Sequence, residues 1–465
     1  MNADDEGRAR DDLLRRDAAH VWHPWTQHGS ERAPLPVVAA SGATLTLADG
    51  RELIDAISSW WTCLHGHGHP RLIDAMERQA RQLDHVLFAG ATHEPAVALA
   101  EALVEAFAGA VAPRASGGHS NLTRAFFSDD GSTAVEVALK IAYHAWVARG
   151  EPQRTVFLAL DHGYHGDTFG AMSAGDPSPF FAPYRPLLFE VARVPVDAAA
   201  LRAAFDRHHG RVAALILEPL VQGAGGMLMH DAAFLRAARA ACDDERVPLI
   251  ADEVMTGFGR TGALFACARS GITPDLLCLA KGLASGVVPL AATLATEELF
   301  AAFLSSDRRR LFPHGHSMTA NPIGCAVALE SLRLARENDV PARLDALGAR
   351  IERALAPLRS HPRVENLRRT GGIVAFDLAA APESSEGALP VHTPEGASPA
   401  GTPVRCMPRA DYFCDLTPKL RAAAIELGVL LRPLGNVVYA LPPACTTDDQ
   451  CDQIAAAMRE LADVR

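Results

Sequence analysis

The sequence predicts an α/β fold: a large, mostly parallel sheet covered by helices, with a smaller α/β domain made from both chain ends. Three observations lead there. From about residue 123, short apolar runs alternate with helical patterns, and continuous apolar strands between helices mark a parallel sheet buried on both faces. Ahead of any helix long enough to cover them come β-prone runs punctuated by Ser41-Gly42 and Asp49-Gly50, which read as hairpin turns. After about Val340, helix and strand patterns resume beyond the central alternation, so the two ends can join across it. The division this predicts is 1–57 for the N-terminal part of the small domain, 58–336 for the large domain and 337–465 for the C-terminal part of the small one.

The elements follow in order. The first 30 residues read as a polar lead closed by the aromatic segment VWHPWTQH. PVVAASGATLTLADGRELIDAIS carries the two turn signals. RLIDAMERQARQLDHVLF and EPAVALAEALVEAF are apolar at helical spacing. Thr123–Phe127 reads as a short strand and Ser132–Ala148 as a helix. TVFLAL, VAALILEPL, PLIADEV and DLLCLAK read as further strands of the central sheet. The third region opens with a helix and a strand at Gly372–Leu378. From Ala380 to Pro408 the chain is rich in Pro, Ser, Gly and Ala with little periodicity, and this reads as a flexible exposed insert. A helix over Pro418–Leu427, strands in VLLRPL and NVVYALPP, and a last helix complete the chain, which has no internal repeat.

Composition narrows the function classes. At 465 residues the chain is long enough for more than one domain. A formal charge of -11 disfavours a nucleic-acid partner, which wants a basic face, and the run Arg308–Arg310 reads as a solvated corner. The start MNADDEGRARDD has no apolar signal-peptide region, and no run reaches the roughly 18–20 apolar residues of a membrane span. Nine scattered cysteines with no C-x-x-C pair fit a reducing compartment. A cytoplasmic enzyme without membrane contact is the expectation.

Its chemistry is sought at strand ends. In PLIADEVMTGFGRTG an apolar run ends in Asp252, and in DLLCLAKGLASG another ends in Lys281. Ligands of open α/β sheets bind at the carboxyl ends of strands. A cofactor that wants both residues is pyridoxal phosphate, whose aldehyde takes a lysine and whose ring nitrogen wants a carboxylate. Its phosphate wants N–H groups at a helix start, which Gly131 and Ser132 in SDDGSTAVEVALK supply. Alone, that DGS also reads as an ordinary turn and N-cap.

With these residues in view, the chain resembles the class III aminotransferases among the fold-type I pyridoxal-phosphate enzymes. The resemblance runs from about residue 20 to the end, apart from the insert. VWHPWTQ, SSWW, GYHGDTFGAMS, EPLVQGAGGM, LIADEVMTGFGRTG, CLAKGL and LLRPLGNVVYALPP carry it. SSWW, GYHGDTFGAMS and RPLGNVVY are most similar to the members that aminate 8-amino-7-oxononanoate to 7,8-diaminononanoate in biotin synthesis. The resemblance implies a ping-pong reaction with S-adenosylmethionine as the amino donor, or lysine in one subgroup. It implies that Lys281 forms the Schiff base and moves the proton, that Asp252 pairs with the ring nitrogen, and that Val254 and Tyr164 cover the two ring faces. Gly131 and Ser132 would hold the phosphate. Ser317 in HGHSMTANP would reach the phosphate of a neighbouring subunit, so a homodimer with shared sites is implied, with Gly315 beside the substrate. Glu218 begins a segment that lies near the cofactor. Trp25, Trp60 and Trp61 would line the substrate pocket, Asp167 would face the substrate's amino group, and Arg432 would bind its carboxylate. Read from the residues alone, a core tyrosine at Tyr164 and an N-cap to TFGAMS at Asp167 are the lesser alternatives.

Trp25 departs from the pattern, since several members carry a tyrosine there; an indole offers only an N–H donor. The segment HGHSMT also varies at His316 and Met318, so the donor stays open between S-adenosylmethionine and lysine. An ω-amino acid or diamine:pyruvate aminotransferase would share Lys281, Asp252 and the phosphate site, and would differ at SSWW and Arg432. A different class is a metal-binding protein using His65, His67 and His69 of SSWWTCLHGHGHP, whose spacing of two would align them on a strand. Gly66, Gly68 and a helix starting at Pro70 argue for a turn-rich link there and against a metal.

Overall fold

The computed structural model describes residues 3–31, 33–111, 122–176, 179–379 and 416–464. Three strands come first: β1 (Val37–Ser41), β2 (Thr44–Leu47) and β3 (Glu52–Asp55). They pair antiparallel, turning at Gly42 and Gly50. Both glycines have positive φ, 57° and 80°, which costs a residue without Cβ nothing. The middle of the chain supplies β4 (Leu122–Ser128), β5 (Val156–Leu160), β6 (Val191–Val194), β7 (Val212–Leu217), the short ladder β8 (Val221–Gln222) and β9 (Leu228–Met229), then β10 (Leu249–Asp252), β11 (Leu276–Leu279) and β12 (Ala291–Thr296). Seven of these form one sheet in the order β4-β12-β11-β10-β7-β5-β6. Every pairing is parallel except those β12 makes with β11 and β4.

β5, β7, β10 and β11 are buried along their whole length, as expected of apolar strands under helices on both faces. The helix Gly131–Ala148 lies over β11 and β12, and its Trp146 Nε1 donates to the Ala213 carbonyl at 2.8 Å. The chain ends meet beside this sheet. β13 (Val364–Thr370), β14 (Ile373–Leu378) and β16 (Val437–Ala440) form a three-stranded antiparallel sheet. β15 (Val429–Leu430) instead pairs parallel with β3, so N- and C-terminal segments share a sheet.

Four expectations need correction. The polar lead is a helix, Ala3–His20, in which Asp12 pairs with Arg15 and Arg16 one turn on. β12 (Ala291–Thr296) is a strand the sequence reading did not include. VLLRPL is extended only over Val429–Leu430, so Arg432 follows the strand. Asp167 is not an N-cap: Thr168 holds that position for the helix Phe169–Ala174. The expected insert at 380–408 lies outside the described residues.

Candidate active site

β10 and β11 lie side by side and parallel, with Asp252 opposite Cys278. Asp252 and Lys281 therefore leave the sheet at the same edge, and both line one cavity of about 440 Å³. Lys281 opens a single 3₁₀ turn, Lys281–Ala284, and is half-buried. Burial pushes its ammonium below the ordinary lysine range, and the carboxylates of Asp252, Glu218 and Asp167 oppose that shift. A lysine shifted this way is closer to the neutral amine that attacks a carbonyl.

Asp252 is 4 % exposed and is held from two sides. Its Oδ1 accepts from the Val254 N–H at 3.0 Å, and its Oδ2 lies 2.8 Å from His165 Nδ1. A carboxylate only accepts, so His165 carries its proton on Nδ1. His165 is fully buried, and its Nε2 has no hydrogen-bond partner among the described residues. Sequence reasoning did not single out His165; its only signal was its place between Tyr164 and Asp167 in GYHGD. Glu218 is also buried, and it accepts from the Tyr164 N–H at 3.0 Å and the Gly223 N–H at 2.8 Å. Burial, with Asp252 adding to it, pushes its carboxyl up to about 7.

The helix Gly131–Ala148 points its start at this cavity. Asp130 caps it through Thr133 N–H at 2.9 Å, so the acidic side chain turns back onto the helix. Gly131, Ser132 and Val254 line the cavity. A Cβ on Gly131 would stand 2.6 Å from Val254 Cγ1, so only glycine lets the helix start and Val254 approach this closely. Val254 follows β10 in a turn and is not on the strand itself. Tyr164 lines the cavity with its backbone fixed by Glu218 and its hydroxyl donating to Asp167 Oδ1 at 3.0 Å. An amine, a buried carboxylate, a helix start and two flat or branched side chains around one cavity fit a phosphorylated pyridine ring.

The two adjacent tryptophans face different cations. Lys281 Nζ lies 4.6 Å from the centre of the Trp61 ring, and Arg432 Cζ lies 4.4 Å from that of Trp60. Trp61 is 3 % exposed, lines the cavity, and donates from Nε1 to the Tyr439 hydroxyl at 3.0 Å. Trp60 is 38 % exposed and lies at the surface with Arg432 over its ring. The backbone here is neither extended nor ordinary helix. Ser58, Ser59, Trp60 and Trp61 have φ of 50°, 44°, 69° and 74°, a left-handed turn of four non-glycine residues. The histidines of the same stretch go separate ways: His65 Nε2 bonds the Ser331 carbonyl at 2.9 Å, His67 Nε2 the Asp55 carboxylate at 2.8 Å, and His69 precedes the helix Pro70–Gln82 at its N-cap position with no side-chain bond to it. Among the described residues no group of His, Cys, Asp or Glu is arranged to hold a metal.

The remaining expected residues fall in two places. Trp25 Nε1 donates to Asp167 Oδ2 at 3.2 Å, so indole and Tyr164 hydroxyl meet on one carboxylate at the cavity's outer side. Gly315 and Ser317 are exposed in the segment 312–321, outside the cavity of their own chain. Among the described residues no helix is long and apolar enough to cross a membrane.

Comparison with known proteins places these features in a family. Residues 25–461 match the aminotransferase class-III family. An adenosylmethionine-8-amino-7-oxononanoate aminotransferase of Synechococcus elongatus is 46 % identical, covering 96 % of this chain and 98 % of that one. Its counterpart in Nitratidesulfovibrio vulgaris is 40 % identical over 96 % of this chain and 81 % of its own. Among solved structures, that of the enzyme of the same name from Methanocaldococcus jannaschii matches with a TM-score of 0.84 and 31 % identity, covering 98 % of this chain and all of that one. An omega transaminase of Pseudomonas jessenii in complex with PMP matches with a TM-score of 0.83 and 25 % identity, over 97 % of each chain.

Proposed function

We infer that this chain, which belongs to the class-III aminotransferase family, moves an amino group from S-adenosylmethionine to 8-amino-7-oxononanoate, giving 7,8-diaminononanoate for biotin synthesis. The observation that carries this reading is the single cavity that brings Lys281, Asp252 and the start of helix Gly131–Ala148 together, walled by Trp61. Pyridoxal 5'-phosphate, when bound there, supplies a carbonyl that exchanges the amino group and a ring that accepts electrons as the substrate's Cα–H bond breaks. Lys281 would hold the cofactor in the absence of substrate, and its amine, free once substrate has taken that place, would move the proton at the substrate Cα. Asp252, fixed by His165 and Val254, would hold the ring nitrogen in its protonated form. Gly131 and Ser132 bind the phosphate, while Val254 and Tyr164 cover the ring. Trp61 excludes water beside Lys281. Asp167, oriented by Tyr164 and Trp25, takes the substrate's amino group, and Arg432 takes the far carboxylate as a two-donor clamp.

We assign the working form to a homodimer in which Gly315 and Ser317 complete the partner's site. Their exposure supports this, as do the exposed apolar side chains of Trp22, Leu87, Leu311 and Met318. A cytoplasmic location belongs to the same proposal, and no two of the described cysteines form a disulfide, which fits a reducing compartment. The division at 57/58 and 336/337 is supported by the pairing of β15 with β3.

The test has two stages. The pure protein should show a visible cofactor band that is lost in Lys281→Ala; a colourless wild type refutes the cofactor assignment. S-adenosylmethionine should bleach that band, and 8-amino-7-oxononanoate added afterwards should restore it. Bleaching by lysine alone would transfer the donor role to lysine. Restoration by pyruvate and not by the oxononanoate would favour the omega transaminase reading.

A further inference from the structure

The segment HGHSMT carries two histidines that the proposed reaction does not use. They stand in line between two charged groups. Lys140 Nζ lies 3.0 Å from His314 Nδ1, His314 Nε2 lies 3.1 Å from His316 Nε2, and His316 Nδ1 lies 2.8 Å from Asp129 Oδ2. The two ends fix every proton between them. An ammonium only donates and a carboxylate only accepts. His314 therefore accepts at Nδ1 and carries its proton on Nε2. His316 then accepts at Nε2 and donates from Nδ1 to Asp129. Three gaps hold three protons, so the chain is complete only while both imidazoles are neutral. Phe126 and Phe312 pack against His314, with ring centres 5.9 Å and 5.8 Å away. Burial, Lys140 and His316 hold His314 below its ordinary 6.5, and Glu136 acts the other way.

The line joins two pieces of the phosphate machinery. Asp129 lines the cavity and comes just before Asp130, Gly131 and Ser132, where the helix Gly131–Ala148 begins. Lys140 stands about two and a half turns further along the same helix. At the other side, His316 sits between Gly315 and Ser317. Its backbone is tied into a turn: its N–H donates to Thr319 Oγ1 at 2.9 Å, and its carbonyl accepts from Thr319 N–H at 3.2 Å. A ring fixed at one end of such a turn fixes the residue that follows it. The loop is thus fastened to the phosphate helix of its own chain, while Ser317 is exposed.

We propose that His316 is a positioning residue for cofactor retention in the partner's site: bonded to His314 and Asp129, it docks its loop on the phosphate helix of its own chain and so presents the Ser317 hydroxyl outward. This rests on the homodimer and on the role of Ser317 given above. The test is binding of pyridoxal 5'-phosphate to the full-length apoenzyme, read by titrating the visible band, for His316→Ala, His316→Gln, Ser317→Ala and His316→Ala/Ser317→Ala. Light scattering checks that each variant keeps the assembly of the wild type. His316→Ala should weaken binding roughly tenfold at about pH 8, since a bond to a charged carboxylate is lost. Glutamine offers one donor and one acceptor at its tip, so His316→Gln should recover most of that loss. An imidazole held low keeps the chain at neutral pH and loses it as pH falls below 6.5. The gap between wild type and His316→Ala should therefore close as pH falls from about 8 to about 5. A gap that stays constant would mean that the histidine only packs, and would overturn the proposal. The double variant should bind no more weakly than Ser317→Ala, because His316 acts through that hydroxyl. Losses that multiply would place its effect elsewhere and overturn the proposal, leaving the role of Ser317 intact. Ser317→Ala with unchanged affinity, or a monomeric wild type, would instead overturn the role of Ser317, and the proposal with it.

Discussion

Replacing His165 by leucine tests the support under Asp252. The side chain is fully buried and its Nδ1 is one of two donors to a carboxylate that is itself 4 % exposed. Leucine fills a comparable volume and donates nothing. A hydrogen bond to a charged group is worth about 1.5–3 kcal/mol. The Val254 N–H remains at 3.0 Å, but the carboxylate is itself buried, so the loss belongs at the upper end, about 3 kcal/mol. At 1.36 kcal/mol per factor of ten, that is on the order of 10²-fold. It should appear where Asp252 meets the cofactor ring, as weaker binding of pyridoxal 5'-phosphate to the apoenzyme, measured by titrating the visible band. His165→Asn keeps an N–H close to the position of Nδ1 and should recover about a factor of ten of it. Cofactor affinity in His165→Leu within twofold of wild type, with an unchanged melting temperature, would show that Asp252 needs no such partner.

Three further outcomes follow from the same geometry. Trp25→Phe removes an exposed donor at 3.2 Å from Asp167, so kcat/KM should fall by no more than about fivefold; a loss of two orders of magnitude would give the indole a larger role. Gly131→Ala brings a Cβ to 2.6 Å from Val254 Cγ1, and should weaken cofactor binding at least tenfold unless Val254→Ala is added to make room. No recovery in the double variant would place the fault in the helix start itself. The Asp55 carboxylate, by hydrogen bonding, raises His67 from its ordinary 6.5 to about 10. A raised folded-state value means that the pair's stabilisation is complete below pH 6.5 and lost as pH climbs through about 10. The stability gap between wild type and His67→Gln should therefore shrink over that interval, as read from denaturant midpoints; a constant gap would contradict it.

Asp252 and Lys281 were legible because each ends an unbroken apolar run, and such runs become buried parallel strands whose carboxyl ends open on the ligand side. Gly131 and Ser132 were legible for a similar reason, since a strand followed by DGS and a helical pattern fixes where the helix starts. Other features left no local trace. β12 runs antiparallel in a sheet otherwise read as parallel, and its apolar residues say nothing of direction. The helix Ala3–His20 has no apolar stripe to reveal it, and charge pairs one turn apart hold its surface. His165 read as a spacer between two more conspicuous residues, because its partner lies 87 positions away.

By itself the sequence determined the α/β class, and the lysine and the carboxylate that end neighbouring strands at one cavity, since these depend on residue type and on periods of two to four; it also held two adjacent tryptophans. Only the tertiary structure decided what those tryptophans do. Their left-handed backbone runs against every local preference of Ser and Trp, and exists because Asp55, His67 and a carbonyl 383 residues distant hold it. That contact set sends Trp61 under Lys281 and Trp60 against Arg432. Propensity is summed over neighbours in the chain, and the partners that overrule it here are neighbours only in space.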